Sequence, residues 1–280
     1  MTKTLEIPTI ELSGGVQIPQ FGVGVFQVPP KDTFENVTQA LNLGYRHIDT
    51  AKIYGNEAEV GQALNASGLG RESLFITTKL WNDDQADAKR ALKESLNRLE
   101  LDHVDLYLIH WPAPGKDHYV AAWQALIEAQ QEGLTRAIGV SNFQAEHLRR
   151  IVDETGVTPA VNQIELHPFF PQTELRTVNA DRGIVTEAWC PIGRAGALLD
   201  HLLLRGIGER YGVSAAQVVL RWHVQLGVVP IPKSASDERQ YENLDVFGFA
   251  LSDDEMNQIS ALGRADGRLR GLDPATHEEF

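Results

Sequence analysis

Four residues of this 280-residue chain stand out by type and placement: Asp49, Tyr54, Lys79 and His110. Asp49, Lys79 and His110 fall toward the C-terminal ends of three successive β-rich runs, YRHIDTA (45–51), LFITTKLW (74–81) and VDLYLIHW (104–111). Taken alone, a strand-end Asp is usually a turn residue, and a lone His is usually a satisfied structural one. Lys79 is harder to explain that way. Its run is apolar enough to be buried, and a buried lysine needs a counter-charge. Asp49 on the neighbouring run is the available partner. Tyr54 follows Asp49 by five residues in the loop AKIYGN, within reach of that pair. A phenol ordinarily titrates near about 10. An ammonium beside it stabilises the phenolate and lowers that value, which eases donation of the proton. The group predicts a device for protonating an oxygen that acquires negative charge.

The elements that must position these residues alternate along the chain. Eight strand-like runs are QFGVGVF, YRHIDTA, LFITTKLW, VDLYLIHW, TRAIGVSN, AVNQIEL, VTEAWCP and VVPIPKS. Helical patterns lie between and after them, near 31–43, 56–67, 84–100, 118–132, 145–155, 173–182, 201–225 and 236–246. Gly44, Gly133 and Gly156 mark C-termini and Ser214 an N-cap. Before the first unit, TLEIPTIEL and VQIP flank Ser13-Gly14-Gly15 and predict a β-hairpin. After the last, SDDEMNQISALG predicts one more helix. Eight βα units without a linker predict a (β/α)8 TIM barrel of the α/β class, as a single domain over 1–280. The alternative is an open doubly wound sheet, but no strand leads into a Gly-rich dinucleotide turn. Gly22-Val23-Gly24 lacks the third glycine, and Gly206-Ile207-Gly208 sits in a helical pattern. In a barrel the C-terminal strand ends form the mouth. There the chain carries Asp49, Lys79, Trp81, His110, Trp111, Ser141, Asn142, Gln163, Glu165, Trp189, Lys233 and Ser234.

Charge narrows the partners. With 38 acids against 25 bases the formal net charge is -13, which repels a phosphate backbone, and no Lys/Arg run offsets it. The single cysteine, Cys190, rules out an intrachain disulfide and suits a reducing compartment. The start of the chain has no signal-like apolar core, and no apolar run approaches the roughly 20 residues of a membrane helix. The expectation is a cytoplasmic protein without nucleic-acid or membrane partners. The nine histidines are scattered without ligand spacing, so no metal site is expected.

Longer motifs resemble the aldo-keto reductase superfamily. They are Gly44-Tyr45-Arg46-His47-Ile48-Asp49-Thr50-Ala51 with Tyr54-Gly55-Asn56-Glu57, then Ile76-Thr77-Thr78-Lys79-Leu80-Trp81, His110-Trp111-Pro112 and Gly139-Val140-Ser141-Asn142-Phe143. Asn162-Gln163-Ile164-Glu165 and Ile231-Pro232-Lys233-Ser234 extend the likeness over nearly the whole chain. Tyr54-Gly55-Asn56-Glu57 and Asn243-Leu244-Asp245-Val246-Phe247 look most like its bacterial 2,5-diketo-D-gluconate reductase branch.

The resemblance implies a catalytic tetrad of Asp49, Tyr54, Lys79 and His110, with Tyr54 as proton donor, His110 orienting the carbonyl and reduced nicotinamide delivering hydride. It implies NADPH as cofactor, with NADH a weaker alternative. Ser141, Asn142 and Gln163 would bind the carboxamide and Trp189 would stack on the nicotinamide. Lys233, Ser234 and Arg239 would clamp the 2′-phosphate, and Glu242 and Asn243 would contact adenine. Phe26, Trp81 and Trp111 match substrate-lining positions, suited to small aldehydes, ketones or keto sugars. Two departures stand out. Asp237 lies where the branch carries an additional arginine, and Arg194 follows Cys190 in place of a glycine-glutamine pattern. The tail from 267 to 280 often lines the pocket in relatives. Family likeness implies a monomer. A Schiff-base aldolase using Lys79 is the rival chemistry, opposed by Asp49 holding that amine charged. A cofactor-sensing channel subunit is the non-enzymatic rival, opposed by the complete tetrad.

Overall fold

Each barrel strand is short, and its alternate residues point to opposite faces. A computed structural model of the chain describes residues 7–279. A two-stranded antiparallel hairpin, β1 (Thr9–Glu11) and β2 (Gln17–Pro19), comes first. The predicted hairpin is therefore present, although residues 4–6 of its first segment lie outside the described residues. Eight parallel strands follow: β3 (Val23–Gly24), β4 (His47–Asp49), β5 (Phe75–Leu80), β6 (Val104–Ile109), β7 (Thr135–Ser141), β8 (Val161–Glu165), β9 (Val185–Trp189) and β10 (Val229–Pro230). They pair in sequence order. The ring closes between its ends, where Gly22 N–H donates to the Pro230 carbonyl at 3.1 Å and Gly24 N–H to that of Pro232 at 3.2 Å. The predicted α/β barrel is the fold.

The helices are α1 (Pro30–Leu43), α2 (Glu57–Ala66), α3 (Ala88–Leu99), α4 (Tyr119–Gln131), α5 (Ala145–Thr155), α6 (Thr173–Asp181), α7 (Leu202–Tyr211), α8 (Ala215–Gln225), α9 (Asp237–Leu244) and α10 (Asp253–Ser260). In α3 the buried residues Ala88, Ala91, Leu92, Ser95, Leu96 and Leu99 form one stripe at helical spacing against the barrel wall. The helix expected over 201–225 is two helices. Gly212 turns left-handed at φ 68° to end α7, and Ser214 starts α8 through a reciprocal capping box with Gln217. The helix expected from 84 starts instead with a 3-10 turn at Asn82–Asp87.

Two cores result. The larger lies between strands and helices. The smaller fills the barrel floor and joins inward residues Phe75, Leu106, Leu108, Ala137, Val161 and Val229 to Leu12 and Ile18 of the hairpin segment. The hairpin therefore plugs the N-terminal end of the barrel. Along three of the strands the inward positions change from apolar at the floor to polar at the mouth: Phe75, Thr77, Lys79; Ala137, Gly139, Ser141; Val161, Gln163, Glu165. This gradient puts the reactive groups at one end.

Candidate active site

The turn that carries Tyr54 is fixed from both sides. After β4 the chain enters a 3-10 turn at Lys52–Tyr54, ended by Gly55 at φ 69°, a left-handed conformation that favours glycine. Thr50 Oγ1 donates to Asn56 Oδ1 at 2.9 Å, and Asn56 Nδ2 donates to the carbonyls of Val25 and Val28 at 3.1 and 3.2 Å. The loop after β3 thus holds the loop after β4. Within it, Lys79 Nζ lies 2.6 Å from Asp49 Oδ1, 2.9 Å from the Thr50 carbonyl and 3.3 Å from the Tyr54 hydroxyl oxygen. Lys79 is fully buried and Asp49 nearly so.

Burial works against the Lys79 charge, but Asp49 and Tyr54 more than offset it and hold the ammonium above its ordinary value. Burial likewise pushes the Asp49 carboxyl up, while Lys79 and Gln163 pull it back. We read the 2.6 Å contact as an ion pair, because it is the shortest bond either group makes. The expected lowering of Tyr54 is corrected here. Burial raises the phenol by more than Lys79 lowers it, and Asp49 and Glu187 add to the rise, so the net direction is upward.

His110 extends the β6 ladder through its N–H to the Leu80 carbonyl at 3.1 Å. Its ring stands edge-on to Tyr54 at 5.9 Å and to Trp81 at 5.3 Å. Burial, then the charge of Lys79, holds the imidazole well below its usual range, so it is neutral at pH 7. Nδ1 is buried without a hydrogen-bond partner. Phe26 lies against Tyr54 at 5.0 Å and is exposed. Trp81 and Trp111 are mostly buried.

Ser141, Asn142, Gln163 and Trp189 form a second group joined to the first. Asn142 Nδ2 donates to the His110 carbonyl at 3.0 Å, and Asn142 Oδ1 accepts from Trp189 Nε1 at 2.8 Å. Ser141 Oγ donates to the Gln163 carbonyl at 2.9 Å. Gln163 Nε2 donates to Asp49 Oδ2 at 2.9 Å and also to Glu187 Oε2 at 2.7 Å. Glu187 and His47, 3.4 Å apart and both fully buried, were not singled out by sequence reasoning. Their signal was period two: His47 precedes Asp49, and Glu187 precedes Trp189, by one inward step.

A third group sits where β10 meets α9. Lys233 bridges to Gly24 across the barrel closure. Asn36 Nδ2 and Gln240 Nε2 donate to the Ser234 carbonyl at 2.8 and 3.2 Å, fixing the loop to α1 and α9. Lys233 and Arg239 are exposed, and neither forms an ion pair among the described residues. Asn243 is buried and Glu242 half-buried. Among the described residues no hydrogen bond joins this group to the first two. Arg194 lies exposed in a loop with positive φ at 194–195. The tail packs on the mouth: the His277 ring lies 4.3 Å from that of Trp111, and Asn82 Nδ2 donates to the Glu279 carbonyl at 2.7 Å. Phe280 is outside the described residues.

With the geometry in place, comparison with known proteins is decisive. The Aldo/keto reductase family model matches residues 19–264. The chain belongs to the aldo/keto reductase family. Methylglyoxal reductase DkgA of Escherichia coli (strain K12) is 48% identical over 266 residues, covering 95% of this chain and 96% of that protein. An NADPH complex of a Gox0644 mutant superposes with a TM-score of 0.93 at 46% identity, over 98% of this chain and 100% of that one. A putative 2,5-diketo-D-gluconic acid reductase B gives a TM-score of 0.89 at 38% identity, over 95% of each chain. This aldo-keto reductase is therefore an oxidoreductase on a barrel shared with relatives of both kinds named above.

Proposed function

We propose that this aldo-keto reductase is an NADPH-dependent reductase of small aldehydes, ketones and keto sugars, with Tyr54 as proton donor. The observation carrying this reading is how Lys79 spends its donors. An ammonium has three N–H groups, and here they meet Asp49, the Thr50 carbonyl and the Tyr54 oxygen. Because the Tyr54 oxygen accepts from Lys79, its own O–H is left to donate to a carbonyl oxygen in the mouth. As charge builds on that oxygen, Tyr54 passes its proton across, and the new phenolate rests against Lys79. Asp49 holds the ammonium in place beforehand, so the stabilising charge needs no reorganisation. Neutral His110 offers one N–H to the same oxygen without competing as an acid. The same commitment of Lys79 leaves no lone pair for a Schiff base.

The nicotinamide, when bound, supplies the hydride that the carbonyl carbon receives. Ser141, Asn142 and Gln163 would hold its carboxamide, Trp189 its ring and Asp49 its ribose. Lys233, Ser234 and Arg239 would take the 2′-phosphate, and Glu242 and Asn243 the adenine. Support for that fit comes from two exposed cations without ion-pair partners among the described residues, on either side of the N-terminus of α9, where Ser234 Oγ donates to the Ser236 carbonyl at 3.1 Å. Replacing Lys233 by Met is expected to weaken NADPH binding on the order of tenfold, the usual worth of one charge-assisted hydrogen bond. NADH, which lacks that phosphate, should respond far less; an equal response in fluorescence titrations would remove the clamp assignment.

Family likeness supports a cytoplasmic monomer, with 1–280 working as one barrel domain. Phe26, Trp81 and Trp111 line the substrate side, and Arg194 is available to an anionic substrate. Given the relatives, methylglyoxal and 2,5-diketo-D-gluconate head the candidates. A carbonyl panel that adds aromatic aldehydes and keto esters, followed by NADPH absorbance, is the direct test. Turnover of at least one small dicarbonyl is expected; no turnover across the panel would sink the proposal.

A further inference from the structure

One buried carboxyl group in the barrel has no part in the reading above. Glu187 lies on β9 between the inward residues Val185 and Trp189 and is fully closed off from solvent. The two hydrogens of the Gln163 amide serve two carboxyl groups, Asp49 at 2.9 Å and Glu187 at 2.7 Å. The other Glu187 oxygen, Oε1, has no hydrogen-bond partner and faces His47 Nε2 at 3.4 Å. The His47 ring packs directly on Gly22, in the space a side chain there would need, 2.7 Å from the position of a Cβ. Nε2 lies 3.1 Å from Thr77 Oγ1, and Phe75 packs edge-on at 4.9 Å.

The groups facing Glu187 are His47 and Asp49 from β4, Tyr54 from the turn after it, Lys79 from β5 and Gln163 from β8. The strand partner on β10 is Val229, which carries no charge. Lys79 is the one cation of this cluster, and Asp49 already neutralises it. His47 is held neutral, pushed down to about 3 by burial and by Lys79. An ionised Glu187 would add an uncompensated negative charge with one unsatisfied oxygen, which a dry interior opposes.

We propose that Glu187 is a positioning residue that works as a neutral acid beneath the tetrad. In that form it anchors Gln163 and leaves Asp49 the sole carboxylate against Lys79. Loss of its proton on the alkaline side weakens Tyr54 as a donor. This rests on Tyr54 being the donor. Burial, reinforced by the charge of Asp49, raises the Glu187 carboxyl to about 8, against the Gln163 bond and Lys79. Below that pH Glu187 is uncharged; above it, its charge raises the phenol further. Reduction is therefore expected to decline through pH about 8 as one proton leaves, before Tyr54 itself titrates.

The test compares pH profiles of kcat/KM for wild type and Glu187→Gln, the neutral isostere of the protonated acid. Whatever its absolute rate, the variant should keep its activity into the alkaline range. At pH about 9 its rate relative to its own plateau should exceed that of wild type about tenfold, the effect of one pH unit on a single titration. A merely structural role would lower the whole curve without displacing it, and coincident limbs would overturn the proposal. Infrared spectroscopy of the cofactor-free proteins is the second measurement. Wild type should carry a protonated-carboxyl band at pH 7 that fades through about 8 and is missing from the variant. Absence of that band in wild type would also overturn the proposal. The infrared result does not depend on Tyr54, so failure of the proton-donor reading would be recognised separately.

Discussion

Replacing Tyr54 by Phe is expected to cut carbonyl reduction by roughly 10²–10⁴-fold, the usual contribution of a positioned general acid, while NADPH still binds. The substitution removes one oxygen and keeps the ring, so the contact with Phe26 at 5.0 Å and the edge packing of His110 persist. None of the residues assigned to the cofactor is touched. The cost to stability should stay below that of losing the ion pair, because Lys79 gives up one of three acceptors but keeps Asp49 and the Thr50 carbonyl. A buried donor left without a partner costs about 1–3 kcal/mol. Steady-state kinetics with a turned-over dicarbonyl and fluorescence titration with NADPH separate the two effects. Equal turnover in mutant and wild type would remove Tyr54 from the chemistry.

Lys79→Met should fail differently, losing activity and stability together. Buried Asp49, Gln163 and Glu187 and half-buried Tyr54 surround an ammonium that has no exposure of its own. Removing it leaves Asp49 as an unpaired carboxyl in the interior, at a cost of about 3–5 kcal/mol. For a chain of this size that is a fall in Tm on the order of ten degrees. The double variant Asp49→Asn with Lys79→Met removes both charges and should recover part of the lost Tm but none of the activity. If the double variant is no more stable than the single, the pair does not hold its geometry by charge compensation.

That Asp49, Tyr54, Lys79 and His110 come together was legible because each ends a strand run or follows one closely, where a polar residue stands out against apolar neighbours. Lys79 was the clearest case: its own strand demanded a partner. Other features depend on what the chain meets only after folding. The start of α8 was legible in Ser214, but the left-handed Gly212 that ends α7 just before it lies inside a pattern that looks helical on both sides. The direction of the Tyr54 shift depends on how completely a loop is buried, which local sequence does not record. Glu187 and His47 were hidden inside strand runs, where an inward polar residue looks like part of the alternation. The contact of His277 with Trp111 joins residues far apart in sequence, and no periodicity announces it.

The hairpin under the barrel has a consequence for timing. Among the described residues, Leu12 and Ile18 stop the floor and the interior is a well that opens at the mouth. With that floor apolar, protons would reach Asp49, Glu187 and His47 by way of the mouth. Substrate bound over the mouth, as proposed, would then set the charge state of the well for the duration of the turnover. The acidity that Tyr54, as the proposed donor, would bring to each reaction would thus be fixed by the solution the open barrel last sampled.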